Sequence, residues 1–320
     1  MEGGETIDVV VRRRDDRAGG TIAVLELARR DGAPLPDWTA GAHLDLTIAG
    51  DLIRPYSLCG VPGETGAYRL GILDDPASRG GSRAVHATFT EGLETQISAP
   101  RNHFPLNRTA KHSVLAGGGI GITPMLAMAH ALKAAGQAFE LHYCVRTRES
   151  AAFLDELVAA FPDETHLHCD DGAPDQRFDP DGALKAAGPE AHLYVCGPGG
   201  FMDWVIDRAK AAGLDKERIH FEYFNAEVDT HGTAFEVVAA QSGMTVTVGP
   251  DETILDALGK AGIKIPKSCQ QGVCGTCLCD VLEGEPDHKD KFLTDDERED
   301  NDQIITCCSR AKSARLVLDI

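Results

Sequence analysis

The chain has 320 residues, 42% apolar and 25% charged, the proportions of a globular protein rather than a fibrous or disordered one. A formal net charge of −19 argues against nucleic acid or an anionic membrane as a partner, and no apolar run of about eighteen residues is present to span a bilayer. The length predicts two or three domains. The opening Met1-Glu-Gly-Gly-Glu-Thr lacks the basic start and apolar core of a signal peptide, so the ten cysteines are expected in a reducing cytoplasm, serving metals or chemistry rather than disulfides.

The first hundred residues are β-rich. Ile7/Val9/Val11 and Leu44/Leu46/Ile48 alternate with period two, and apolar runs at 21–27, 53–58, 68–73 and 94–98 lie between Gly, Pro and Asp turns. About six such strands predict a small antiparallel barrel, although a one-sided sandwich carries the same signal. From about residue 113 the pattern becomes strand–helix alternation. Strands are expected at 113–116, 139–145, 166–168, 192–196 and 219–222, and helices at 124–135, 151–160, 181–187 and 201–212, with Pro124 at a first helical position. This predicts a parallel α/β sheet. Residues 225–233 are polar and unpatterned, as in a linker. Beyond them come a hairpin (235–240 and 245–249), a helix (253–261) and strands near 280–282, 304–306 and 316–318. The expected domains are thus 1–108, 109–225 and 234–320, with 226–233 as linker.

Arg54-Pro-Tyr56-Ser57 ends one β strand, and Gly80-Gly81-Ser82-x-x-x-His86 follows a turn. Singly, these read as a surface ion pair and a flexible turn. Together they supply what a flavin phosphate requires: a guanidinium, hydroxyls and glycine-freed backbone N–H groups. A helix after Ser82 would aim its N-terminal dipole at the same phosphate, and Tyr56 offers an aromatic face to the flavin ring.

The α/β segment opens with Ala116-Gly117-Gly118-Gly119-Ile120-Gly121-Ile122-Thr123-Pro124 between strand and helix, the position of a phosphate-cradling loop. Gly119-x-Gly121-x-x-Pro124 departs from the dinucleotide fingerprint at its third glycine, which predicts a nicotinamide-binding variant rather than a standard Rossmann enzyme. A second turn, Cys196-Gly197-Pro198-Gly199-Gly200, falls on the same carboxyl edge of the sheet, where such sheets bind ligands. Asp170 and Asp171 follow the third strand of this segment. They would repel a 2′-phosphate, favouring NADH, or they are solvated loop acids. Arg146 and Arg148, after the second, are placed to attract one.

Near the C-terminus stands Cys269-Gln-Gln-Gly-Val-Cys274-Gly-Thr-Cys277, followed by a 29-residue gap and Cys307. C-x4-C-x2-C…C is the spacing of a plant-type [2Fe-2S] cluster, with two thiolates for each iron. A structural zinc site would call for a second C-x2-C knuckle or a His pair at short range, and neither is present.

Arg54-Pro-Tyr56-Ser57, Gly80-Gly81-Ser82, residues 118–124, Tyr194-Val-Cys196-Gly197-Pro198, Glu222-Tyr-Phe224 and the four cysteines together resemble the phthalate dioxygenase reductase and vanillate demethylase reductase family, over essentially the whole chain. The resemblance implies a flavin-binding β-barrel, an NAD-binding α/β domain and a C-terminal β-grasp-like ferredoxin domain, passing electrons from NADH through FMN and the cluster to a Rieske-type oxygenase. It matches Arg54, Tyr56, Ser57, Gly80, Gly81 and Ser82 to flavin-binding positions and gives Gly71, Ile72 and Leu73 backbone contacts along the ring. Thr123 falls between flavin and nicotinamide, and Cys196, Gly197 and Pro198 at the nicotinamide. Phe224 would cover the flavin face. Gly118, Gly119, Gly121, Asp170 and Asp171 would serve the rest of the nucleotide, and Cys307, not Cys308, would be the fourth cluster ligand.

The order of centres also follows from chemistry. A nicotinamide delivers two electrons at once, a cluster takes one, and a flavin converts between the two regimes. No acid–base dyad is needed, and no catalytic triad or H-E-x-x-H motif is present. Two other readings share the parts: a reductase for a diiron or haem oxygenase, where the ferredoxin module more often precedes the flavin domain, and a redox sensor that binds cofactors without turnover.

Overall fold

The computed structural model describes residues 6–320, in two compact units that divide between Phe224 and Asn225. The first unit begins with β1 (Thr6–Arg17), β2 (Ile22–Arg29), β3 (His43–Ala49), β4 (Leu52–Ser57), β5 (Tyr68–Leu73), α1 (Gly81–Thr88) and β6 (Glu94–Ser98). The strands form one antiparallel sheet in the order β4-β3-β6-β1-β2-β5. Its period-two residues fill the interior: Val9, Leu25, Leu27, Leu44, Leu46 and Leu70 are fully buried. The edge strands β4 and β5 approach through a bridge between Leu58 and Leu70. The sheet therefore curls almost into a barrel, with an open seam between Arg54–Ser57 on one side and Gly71–Leu73 on the other.

The chain continues with β7 (His112–Gly118), α2 (Ile122–Ala134), β8 (Ala138–Val145), α3 (Leu154–Ala160), β9 (Thr165–Cys169), α4 (Pro180–Ala187), β10 (Ala191–Cys196), α5 (Gly199–Ala211) and β11 (Ile219–Glu222). The sheet is parallel in the order β11-β10-β7-β8-β9. Chain direction across the sheet reverses between β7 and β10, the crevice where open α/β sheets bind nucleotides. α2 starts at Ile122, so Pro124 is its third residue rather than its first; it still falls among the early positions whose N–H has no acceptor in the helix. α3 starts at Leu154 and not near 151, because Thr147 and Ser150 close a separate 3-10 turn through reciprocal capping bonds.

The second unit contains β12 (Phe235–Ala239), β13 (Met244–Val248), α6 (Ile254–Lys260), β14 (Leu278–Glu283), β15 (Pro286–Asp287), α7 (Asp295–Asp300), β16 (Gln303–Ile305), β17 (Arg310–Ala311) and β18 (Arg315–Leu318). The order β13-β12-β18-β14-β16, with β12 and β18 parallel, makes a mixed sheet that grips α6. Thr253 caps that helix, its hydroxyl accepting from Asp256 N at 3.0 Å. Among the described residues no helix is long and apolar enough to cross a membrane.

Candidate cofactor sites

At the barrel seam, Arg54 on β4 reaches the start of α1. Its guanidinium donates to Ile53 O (2.7 Å) and Arg79 O (3.5 Å). A Cβ on Gly81 would lie 2.8 Å from Arg54 Cγ, so only glycine lets the helix start pack on this side chain. Gly80 turns the chain with φ of 93°. The Ser82 hydroxyl, half-buried, accepts from Asp75 N at 3.3 Å. A guanidinium, a hydroxyl and a helix N-terminus thus converge on one spot, a donor set that fits a terminal phosphate. Across the seam, Gly71, Ile72 and Leu73 pair with β2 on one side only. His86 Nε2 lies 2.9 Å from Ile72 O. A Cβ on Gly71 would sit 2.8 Å from the Phe153 ring and 2.9 Å from Thr123 Cγ2, so the glycine makes room for these two side chains against the strand. Tyr56 is half-buried on β4, and burial pushes its hydroxyl up.

The two glycine turns meet at the switch point. A Cβ on Gly121 would stand 2.2 Å from Cys196 O, and one on Gly118 would stand 2.8 Å from the Phe201 ring and 3.0 Å from Pro198. These two glycines thus allow one turn to pack on the other, a purpose the motif alone did not reveal. Gly119 (φ 54°), Gly199 and Gly200 face open space. Cys196 is fully buried beside Gly197 and Pro198; burial, and then the Glu222 carboxylate, raise its thiol well above the ordinary range. Thr123 is buried, with its hydroxyl donating to Ile120 O at 2.9 Å and its methyl turned toward Gly71. Phe224 lies half-buried against the core shared by the two sheets of this unit.

Glu222, quoted in the sequence only as part of a motif, belongs to this group. It is in register with Cys196. Its carboxylate accepts from the Ser57 hydroxyl at 3.4 Å and lies 3.5 Å from His43 Nδ1. A lone acid ending an apolar strand beside the nicotinamide turn was the available signal. Farther along the same edge, Asp170 N and Asp171 N donate to Val145 O (3.0 Å) and Arg146 O (3.2 Å), so both acids and Arg146 share one exposed rim.

In the second unit the cysteine loop bends through left-handed backbone at Gln270 (φ 52°), Gly272 (φ 72°) and Gly275 (φ 71°). A Cβ on Gly272 would meet Cys308 Sγ at 2.5 Å, and one on Gly275 the Phe292 ring at 2.3 Å. Cys269, Cys274, Cys277 and Cys307 are each at most 5% exposed. Their sulfurs are within hydrogen-bond reach of one another, Cys269 with Cys274 and Cys307, and Cys277 with Cys307. Crowding of the four thiols splits them, holding Cys269 and Cys277 low and pushing Cys274 and Cys307 up. Gln271 N donates to Cys269 Sγ and Gly272 N to Cys307 Sγ, both at 3.3 Å. Four converging sulfurs with N–H groups aimed at them fit a cluster held by thiolates. No three His, Cys, Asp or Glu of the described residues converge on one ion; a two-iron centre asks only two thiolates of each iron.

β16 stops at Ile305 and does not run extended through residue 306. Residues 306–308 form a turn in which Cys308 N and Ser309 N donate to Ile305 O (3.4 and 3.1 Å). That turn separates the neighbouring sulfurs. Cys307 Sγ accepts from Gly272 N of the loop, whereas Cys308 Sγ, which also packs on Gly272, lies 3.8 Å from both Ile305 O and Ser309 Oγ and within reach of Cys307. Cys279 packs in the core of the unit, and burial pushes its thiol up to about 12.

Residues 237–312 match the family model of the 2Fe-2S iron-sulfur cluster binding domain. The chain is 50% identical over 302 residues to vanillate O-demethylase oxidoreductase of Pseudomonas sp. (strain HR199 / DSM 7063), covering 93% of this chain and 95% of the relative. It is similar to the solved structure of phthalate dioxygenase reductase, described as a modular structure for electron transfer from pyridine nucleotides to [2Fe-2S], with a TM-score of 0.75, 38% identity and 98% coverage of both chains. It is also similar to an intact type IV self-sufficient cytochrome P450 monooxygenase, with a TM-score of 0.87 and 36% identity, covering all of this chain and 42% of that one.

Proposed function

This chain belongs to the family of the vanillate O-demethylase oxidoreductases and phthalate dioxygenase reductase, and we propose that it carries electrons from NADH through FMN and a [2Fe-2S] cluster to a Rieske-type oxygenase or demethylase. It is an oxidoreductase, the reductase component of an oxygenase system. The observation that carries the reading is the convergence of Cys269, Cys274, Cys277 and Cys307 in one unit, downstream of a phosphate cradle built by Arg54, Ser82 and the start of α1.

Bound FMN supplies the conversion from paired to single electrons that a nicotinamide lacks. Arg54, Gly80, Gly81 and Ser82 hold its phosphate, Tyr56 flanks the ring, and Gly71–Leu73 meet it along their unpaired edge. Gly118, Gly119 and Gly121 shape the nucleotide loop. Thr123, Cys196, Gly197 and Pro198 position the nicotinamide, and Phe224 shields the flavin face. Oxidation of NADH by one-electron acceptors releases one proton. Ser57 and Glu222 are placed to take it, because their hydrogen bond joins the seam to the nicotinamide turn. Cys269, Cys274, Cys277 and Cys307 ligate the irons. NADH is preferred because Asp170 and Asp171 oppose a 2′-phosphate on the rim that Arg146 shares; a higher kcat/KM with NADPH would reverse this assignment. Ten cysteines with no disulfide among them suit the cytoplasm.

Likeness to part of a cytochrome P450 favours one alternative, a haem oxygenase as acceptor. Steady NADH-dependent cytochrome c reduction tests the enzyme reading. A sensor would bind the cofactors without turnover, and adding candidate oxygenases then separates Rieske from haem partners.

A further inference from the structure

Residues 226–233 read as a bare polar linker, and the iron–sulfur family model starts only at residue 237. In the structure this stretch lies within the second unit and is held there along its length. Ala226 O accepts at 3.3 Å from Gln271 Nε2, within the cysteine loop itself. Val228 packs against the apolar cluster that contains Cys277, Cys307 and Cys308. The Lys289 ammonium donates to Asp229 O (3.0 Å) and His231 O (3.2 Å). Gly232 N donates to Pro250 O at 3.0 Å, and the buried Arg310 donates to Thr233 O at 3.0 Å. Burial alternates along the stretch: Ala226 and Val228 are half-buried, whereas Glu227 and Asp229 are exposed. The segment has no helix or strand of its own. Distant side chains that grip its backbone carbonyls therefore set its path.

We propose that residues 226–228 are a strap belonging to the iron–sulfur centre, one that covers the cysteine loop and keeps water from the sulfurs of Cys277 and Cys307. The inference rests on the assignment of these cysteines as cluster ligands. Hydrogen bonds and solvent exposure at the sulfurs tune cluster potentials, and the apolar shell around a metal site controls solvent access. An apolar strap thus lowers the potential and slows loss of iron. Val228 supplies the cover, while Lys289 and Gln271 keep it in place.

The test uses full-length holoprotein carrying Val228→Asp, Lys289→Met or Val228→Leu. It measures how fast the cluster's visible absorbance is lost in air with an iron chelator, and the midpoint potential from a titration followed by electron paramagnetic resonance. Val228→Asp and Lys289→Met should bleach about tenfold faster, the low end of outer-shell effects at metal sites, and Val228→Leu should match the parent in both bleaching rate and potential. Lys289→Met leaves the strap and the loop residues intact, so it decides the question if Val228→Asp fails to accumulate. NADH should reduce the flavin equally in all forms. Parent-like bleaching in both Val228→Asp and Lys289→Met would overturn the strap and leave the proposed function standing. A parent protein without cluster absorbance would overturn both.

Discussion

The Ser57 hydroxyl, at the end of β4, donates to the Glu222 carboxylate, at the end of β11, across 3.4 Å. His43 stands behind the pair, 4% exposed, with Nδ1 3.5 Å from the carboxylate and neither ring nitrogen in a hydrogen bond. A serine at the barrel seam and an acid at the edge of the parallel sheet thus face each other, and the proposed function routes the proton from NADH oxidation through this pair. Glu222→Gln keeps the shape and removes the base. Steady cytochrome c reduction should fall by about 10²-fold, the lower range for a positioned acid–base group, with the Kd for NAD+ unchanged by titration. An unimpaired rate would remove Glu222 from the proton path.

Arg69 and Arg17, on barrel strands, both bind Glu156 of α3, and the Phe153 ring lies 5.3 Å from the Arg17 guanidinium and 5.6 Å from that of Arg69. Burial alone would raise the Glu156 pKa, but the hydrogen bonds from Arg69 and Arg17 outweigh it and hold the carboxyl below its ordinary 4.5. A carboxyl depressed on folding stabilises fully above its unfolded pKa, and that stability is lost as pH falls through the folded value. Glu156→Gln should therefore cost about 2 kcal/mol at neutral pH, less than the ~3–5 of a fully buried pair, because these side chains remain partly exposed. The deficit, read by urea unfolding, should shrink as pH drops below about 4.5. A deficit that stays constant as pH falls from 8 to about 3 would show that packing, not charge, accounts for it.

Cys307→Ser should lose most of the cluster's visible absorbance and its reduced-state paramagnetic signal, while flavin and NADH binding survive. Cys308→Ser and Cys279→Ser remove sulfurs directed at Ile305 O and at Cys277 O, and should cost only packing. Bleaching in Cys308→Ser but not in Cys307→Ser would shift the ligand by one residue.

Much of the fold was legible because its signals are local. Strands such as β5 and β6 stand where period-two runs end at Gly and Pro, and the helices of the parallel sheet follow its strands. The short pair β15–β17 and helix α7 went unread, since two-residue strands carry no periodicity and α7 is polar throughout, although Thr294 and Glu297 spell its capping box. Residues 226–233 looked unstructured because their order comes from Gln271, Lys289 and Arg310, far away in sequence. At the sites, glycine and cysteine spacings identified the loops. The contact of Glu222 with Ser57, 165 positions apart, exists only after the two sheets pack.

Electrons entering from NADH should reach the cluster through the flavin. An anaerobic titration of the purified holoprotein with NADH, followed by absorbance and by electron paramagnetic resonance, tests it most directly. The account predicts that substoichiometric NADH bleaches the flavin and brings up the reduced-cluster signal, and that protein stripped of flavin shows neither until flavin is restored. A cluster that dithionite reduces but NADH leaves oxidised in the flavin-replete protein would contradict it.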